Sequence, residues 1–314
     1  FGNYFRLDLA SEKRTYIQPK HSLGESPYRF NWQTPILLSP HNQDILYLGS
    51  NKLHRSMDKG DNWSTISEDL TTGGKKGNVA YGTLTALSES PFRFGLLYTG
   101  SDDGLVHISR NAGDTWKRIS DSFPSDLWVS RVAASRHNES RVYVALNGYR
   151  WDDFNPYLYV SEDYGQTWKS ISKGIPASPV NVVLEDPFNE NLLFAGTDNG
   201  LYVSLDRGEN WQLMQNGMPH VAVHDLVIQP EAKHLLVGTH GRSIYKVDIA
   251  ALQTLQKEQL DESLVVFELS DLRHSSRWGN SYSTWGTPNT PGLDVNFYSR
   301  KGGLVTAVVQ TPDG

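Results

Sequence analysis

The sequence predicts an all-β fold, a β-propeller of four-stranded antiparallel blades, on three observations. An eight-residue box recurs four times, as SMDKGDNW at 56–63, SRNAGDTW at 109–116, SEDYGQTW at 161–168 and SLDRGENW at 204–211, its serines 53, 52 and 43 residues apart. Ahead of each box lies an apolar run with a small-residue turn: ILYLGSNKL at 45–53, LLYTGSDDGLVHI at 96–108, VYVALNG at 142–148 with LYV at 158–160, and LLFAGTDNGLYV at 192–203. Such runs read as two strands joined by a hairpin. A short apolar segment follows each box (TI, KRI, KSI, QLM), and another precedes each hairpin (PILLSP at 35–40, LTALSESP at 84–91, RVAASR at 131–136, VVLEDP at 182–187). Four strands, a to d, per period of this size are the signature of propeller blades.

In chain order, residues 1–17 (NYFRLDL, then RTYIQP) look like the last strands of a preceding blade. Blades follow at 35–68, 84–120, 130–172 and 181–214, and 224–248 supplies strands a to c of a fifth that has no box. An open arc would leave strand edges and apolar faces unpaired. The ring is therefore expected to be completed by residues absent from this chain or, as the second choice, closed at five blades by an N-terminal strand (Tyr4–Asp8 or Arg14–Gln18) pairing with the fifth. Beyond the 1–250 propeller, ALQTLQKEQLDE at 251–262 suits a short linker helix, placed at 251–263. LVVFEL, LDVNFYSR and GLVTAVVQTPDG, within 264–314, read as the start of an immunoglobulin-like or fibronectin-like β-sandwich cut short at Gly314.

The box has a physical reading as a turn. Its Ser ends strand c, its Asp accepts from amides of the same turn, and its Gly supplies a positive φ. Asp58, Asp163 and Asp206, with Asn111 as a polar substitute, are thus expected to be turn staples. Trp63, Trp116, Trp168 and Trp211 are expected to close strand d against the neighbouring blade.

The SxDxGxTW pattern is the Asp-box, or BNR repeat, and resembles that of sialidases, family 74 xyloglucanases, sortilin-type receptors and photosystem assembly propellers. Outside the boxes, YRFNWQTPILLSP, GSDDGLVHISRNAGDTW, DDFNPYLY and THGRS resemble a bacterial family of secreted sortilin-like or "glycosyl hydrolase-like" BNR proteins over about residues 1–250. The resemblance implies a propeller, a longer parent chain, and a secreted, periplasmic or surface location; it implies no particular reaction.

Composition narrows the function classes. A net charge of −6 with interspersed signs argues against a nucleic-acid surface. There is no apolar run long enough to span a membrane. The absence of Cys excludes disulfides, and Phe1 in place of Met suggests that the natural N-terminus lies upstream. No cofactor is implied, and the ten His contain no HxH or HExxH pair, so no metal site is expected.

In a propeller, strand a lines the channel, the d–a and b–c loops share one face, and the boxes lie on the other. Function is therefore sought on the loop face. Turns GSDDG at 100–104 and GTHGR at 238–242 place Asp102, Asp103, His240 and Arg242 there. One b–c loop departs from the rest by length: NGYRWDDFNPY at 147–157 adds Tyr149, Arg150, Trp151, Asp152 and Asp153. Trp128 and Tyr81 come from facing d–a loops. Aromatic rings beside carboxylates suit a glycan or protein ligand. A glycosidase would need two carboxyls at a defined separation, for which Asp102 or Asp103 with Asp152 or Asp153 are the candidates. A sialidase-like arginine triad is not recognisable. Two readings follow: a non-catalytic binding or scaffold propeller, or a glycoside hydrolase.

Overall fold

The computed structural model describes residues 2–77, 79–215, 217–269, 274–281 and 284–308. Two compact units divide the chain, Phe1–Asp248 and Ile249–Gly314.

The first unit opens with a hairpin, β1 (Phe5–Leu7) and β2 (Arg14–Tyr16). Four four-stranded antiparallel blades follow. Blade 1 is β3 (Ile36–Leu38), β4 (Leu46–Gly49), β5 (Leu53–Ser56) and β6 (Ser64–Thr65); blade 2 is β7 (Leu84–Glu89), β8 (Leu97–Ser101), β9 (Val106–Ser109) and β10 (Lys117–Arg118). Blade 3 is β11 (Trp128–Ala134), β12 (Val142–Gly148), β13 (Asp153–Ser161) and β14 (Lys169–Ser170); blade 4 is β15 (Val180–Glu185), β16 (Leu193–Thr197), β17 (Gly200–Ser204) and β18 (Gln212–Leu213). A fifth sheet, β19 (Val223–Gln229), β20 (His234–Thr239) and β21 (Ile244–Asp248), has three strands. Strand b is deeply buried in each blade: β4, β8 and β16 are buried at every residue, because both blade faces are covered by neighbours.

The boxes are c–d turns. Ser56 Oγ donates to Asp58 Oδ1 at 2.8 Å and accepts from Gly60 N at 2.8 Å, while Asp58 Oδ1 accepts from Asn62 N at 2.8 Å. The same triangle recurs around Ser109 and Asn111, Ser161 and Asp163, and Ser204 and Asp206. Hydrogen bonds from the Asn62 side chain and amide hold the Asp58 carboxyl below the ordinary range. The residue before each box Gly is left-handed (Lys59, Ala112, Tyr164 and Arg207, φ 60°, 58°, 61° and 58°), and its N–H donates to the a–b loop of its own blade, to Asp44, Gly95, Ser140 and Asn191 O.

Each box also forms the seam to the blade before it. A Cβ on Gly113 would lie 2.8 Å from Ile66, on Gly165 2.5 Å from Ile119, and on Gly208 2.9 Å from Ile171. Each of these Ile residues directly follows strand d of the preceding blade, and its carbonyl accepts the next box's indole N–H: Trp116 to Ile66 O at 2.9 Å, Trp168 to Ile119 O at 2.7 Å, Trp211 to Ile171 O at 2.6 Å. Strand d begins one residue after the Trp, which leaves the ring free to turn across the seam.

The N-terminal hairpin stands in this seam as the outer half of a blade. Ile17 meets Gly60 as Ile66 meets Gly113, an added Cβ lying 2.8 Å away. Arg6 donates to Lys59 O at 3.0 Å as Arg55 donates to Ala112 O at 3.0 Å. β1 and β2 therefore correspond to strands c and d of a blade ahead of blade 1, although the Trp63 indole nitrogen is buried without an acceptor among the described residues. This corrects the five-bladed closure: neither Tyr4–Asp8 nor Arg14–Gln18 pairs with β21, since the seam contacts hold the hairpin on blade 1.

Strand b of one blade also bonds strand a of the next. Tyr47 donates to Glu89 at 3.0 Å and Tyr143 to Glu185 at 2.8 Å. In blade 3 the corresponding strand-a residue is Ala134, and the buried Tyr98 hydroxyl has no partner among the described residues.

The second unit contains α1 (Ala250–Thr254), a 3-10 turn at Lys257–Asp261, and a two-stranded sheet of β22 (Leu264–Val266) and β23 (Phe297–Ser299). Of the expected sandwich strands, these two form; 302–308 is irregular, and the remainder of GLVTAVVQTPDG lies outside the described residues. No helix among the described residues is long and apolar enough to cross a membrane.

The Tyr pairs give a test by thermal or urea unfolding. Tyr143→Phe should cost about 1 kcal/mol, because buried Glu185 loses a donor. Tyr98→Phe should leave stability unchanged or raised, because its hydroxyl is buried without a bond. Equal losses would contradict the assignment.

Candidate functional site

Strand a carries a β-bulge at the same place in blades 2 to 5, between Leu84 and Ala86, Val129 and Arg131, Val180 and Val182, and Val223 and Asp225. The extra residue re-aims a side chain. Thr85, Ser130, Asn181 and His224, the bulged residues, all line a central cavity of about 860 Å³. Its wall takes residues from strand a of all five sheets, from Ile36 and Leu37 to Asp225. Arg131 on blade 3 and Asp225 on sheet 5 pair at 2.5 Å. The His224 and His240 rings lie 5.3 Å apart, and burial holds His224 below the usual imidazole value.

A second cavity of about 320 Å³ opens on the loop face. Lys75, Lys76, Val79 and Tyr81 come from the 69–83 loop, Asp102 from the β8–β9 turn, Trp128 from the start of β11, and Asn147, Arg150 and Trp151 from the blade 3 hairpin. The 147–157 insertion is mostly strand and not loop: pairing continues to Gly148 opposite Asp153, so the extra length lifts a short 3-10 turn, Tyr149–Trp151, above the face. Asp152 closes that turn with φ 54°, and Tyr149 N is held by Asn147 Oδ1 at 2.9 Å.

Asp126 organises this cavity. Its carboxylate accepts from Tyr81 and, at 3.3 Å, from Lys75, and its carbonyl accepts from the Trp151 indole at 2.7 Å. Lys75 sits 3.7 Å over the Tyr81 ring, and the Arg150 guanidinium 3.7 Å over Trp128. Burial lowers the Arg150 pKa, partly offset by the charge of Asp102.

The predicted residues thus fall into separate places. Trp128, Arg150, Trp151 and Asp102 meet in the loop-face cavity, and Tyr149 and His240 line the channel. Arg242 lies exposed in the β20–β21 turn and lines neither. Asp102 accepts from Thr83 N at 2.9 Å, Thr83 Oγ1 at 2.6 Å and Asn31 Nδ2 at 3.3 Å; burial outweighs these bonds and raises its pKa. Asp103 accepts from Thr72 N at 2.6 Å and Oγ1 at 2.7 Å. Asp152 is exposed. Asp153 accepts from Tyr157 at 2.7 Å and Asn155 N at 3.0 Å; its slight burial pushes upward, but these bonds leave it below the ordinary value. Asp103, Asp152 and Asp153 line neither cavity. Sequence reading missed Asp126, and it missed Lys75, for which the length of the 69–83 loop was the available signal. Among the described residues no group of three or more His, Cys, Asp or Glu side chains is placed to hold a metal.

The described fold and its boxes define a β-propeller carrying the BNR-Asp box repeat, whose family profile matches residues 158–171. No curated protein matches the chain. Among solved structures, the GH74 xyloglucanase from Xanthomonas campestris is similar at 18% identity and TM-score 0.57, over 76% of this chain and 39% of that one. An ancestral GH74 enzyme is similar at 16% identity and TM-score 0.51, over 87% and 39%. The β-propeller domain of Myceliophteria thermophila Swd1 is similar at 14% identity and TM-score 0.50, over 74% and 71%. The chain spans about two fifths of the two GH74 proteins. These likenesses are of fold.

The two aspartates give opposite expectations. In an NMR titration Asp102 should titrate above an ordinary aspartate and Asp153 below it. A raised carboxyl keeps its proton longer in the folded chain, so Asp102 costs stability as pH rises from the ordinary Asp value through its own; Asp102→Asn should flatten that slope. The reverse order of midpoints would contradict the site's electrostatics.

Proposed function

We propose that the chain is a non-catalytic binding module that holds a protein or glycan ligand at its loop face. The observation that carries this reading is the composition of the loop-face cavity: most of its wall comes from the 69–83 loop and the 147–157 insertion, with Trp128 between them. Repeats build the scaffold, and departures from repetition supply aromatic and cationic side chains at one place. Bonds to their own or adjacent turns occupy Asp102, Asp103 and Asp153, as expected of a scaffold.

A glycoside hydrolase is the second reading, favoured by one observation: Asp102 faces the cavity with a raised pKa, as a general acid would. Asp103, Asp152 or Asp153 would have to supply the second carboxyl. The motifs shared with sortilin-like and "glycosyl hydrolase-like" BNR proteins support a secreted, periplasmic or surface setting in a bacterium. Completion of the ring by further strands belongs to the same proposal, supported by the exposed Ile36 and Leu38 on the inner strand beside the half-blade.

A peptide- and glycan-binding screen run beside a glycan hydrolysis screen separates the readings. Trp128→Ala with Trp151→Ala should weaken binding at least about tenfold, with no hydrolysis by the wild type. Turnover that is lost in Asp102→Asn, or in Asp152→Ala with Asp153→Ala, would overturn the binding-module reading in favour of the hydrolase.

A further inference from the structure

Resting on the binding-module reading, the geometry points to the ligand's chemistry: we propose that the loop-face cavity recognises a carboxylate on an acidic peptide segment, gripped by Arg150. The guanidinium is positioned before any ligand arrives. Its backbone belongs to the 3-10 turn that Asp152 N closes on Tyr149 O, and Trp151 beside it is tied to Asp126 O at 2.7 Å. Stacking on Trp128 at 3.7 Å orients the plane of the fork. A planar, pre-oriented guanidinium suits bidentate bonds to a carboxylate.

The charges around it differ in availability. Lys75 is matched by Asp126. Arg150 takes part in none of the ion pairs among the described residues, and the acidic group whose charge it feels, Asp102, is buried against Thr83 and Asn31. Lys76 lines the same cavity. The cavity thus has positive charge to offer an acidic ligand.

The aromatic faces argue for a peptide over a sugar. A pyranose needs an open ring face to stack upon, but Arg150 covers a face of Trp128 and Lys75 a face of Tyr81. The remaining wall includes exposed Val79 and exposed Trp151, which suit apolar side chains flanking an acidic residue. Trp128, Asn147 and Arg150 also line the channel, so an extended peptide can run from the cavity toward it.

The test is fluorescence anisotropy with labelled hexaglutamate, hexaglutamine and an oligogalacturonate, on wild type and on Arg150→Met and Arg150→Lys, with thermal unfolding to verify folding. Hexaglutamate should bind wild type with an affinity that falls as salt rises, and hexaglutamine should not bind. Arg150→Met should weaken hexaglutamate binding at least about tenfold, and Arg150→Lys should be intermediate. Equal hexaglutamate binding by wild type and Arg150→Met would overturn the proposal, as would binding of the oligogalacturonate alone. Ligands from the wider screen that bind through Trp151 regardless of Arg150 would likewise sink carboxylate recognition, while the binding-module reading would stand.

Discussion

The fold depends on one contact repeated along the chain: a glycine in each box sits against an isoleucine at the end of the preceding blade, with no room for a Cβ. Two constraints coincide there. The box turn needs left-handed backbone at the Gly, at φ 97°, 81° and 86° in blades 2 to 4, and the seam needs the absence of a side chain at that residue. The indole of the same box then donates to the Ile carbonyl, so a backbone acceptor at the end of strand d is satisfied by the next blade. A short turn motif thereby specifies both the hairpin within a blade and the docking between blades.

With spacing set at the rim, the opposite face is free to vary. The strand-a bulges turn one side chain per blade into the channel in a repeated frame, and only their identities differ: Thr85, Ser130, Asn181 and His224. The two long loops stand on this frame and are joined through Asp126, which ties Lys75 and Tyr81 of one to Trp151 of the other. Repeated blades below and cross-braced insertions above hold Arg150 in place.

Legibility followed the range of the interaction. Box turns were readable because Ser, Asp and Gly act within a few residues of one another. The half-blade character of 1–17 was readable from its strand pattern; its docking on blade 1 was not, because that rests on Arg6 reaching Lys59, 53 residues away, and Ile17 reaching Gly60, 43 residues away. The insertion at 147–157 was visible by its length, yet whether it extended as strand or coiled as loop depended on Gly148 pairing with Asp153. Asp126 carried no local signal at all, since its partners Lys75 and Tyr81 come from the 69–83 loop and Trp151 from the 147–157 insertion.

Paired glycine substitutions test the seam most directly. Gly165 and Gly174 both have positive φ, 81° and 99°, but an added Cβ meets Ile119 at 2.5 Å at the first and nothing closer than 3.6 Å at the second. Alanine at either carries a backbone cost of about 1 kcal/mol, and seam packing predicts a further loss at Gly165 alone, so Gly165→Ala should unfold at distinctly lower temperature than Gly174→Ala. Equal melting temperatures for the two variants would contradict the seam as the constraint on which the blades depend.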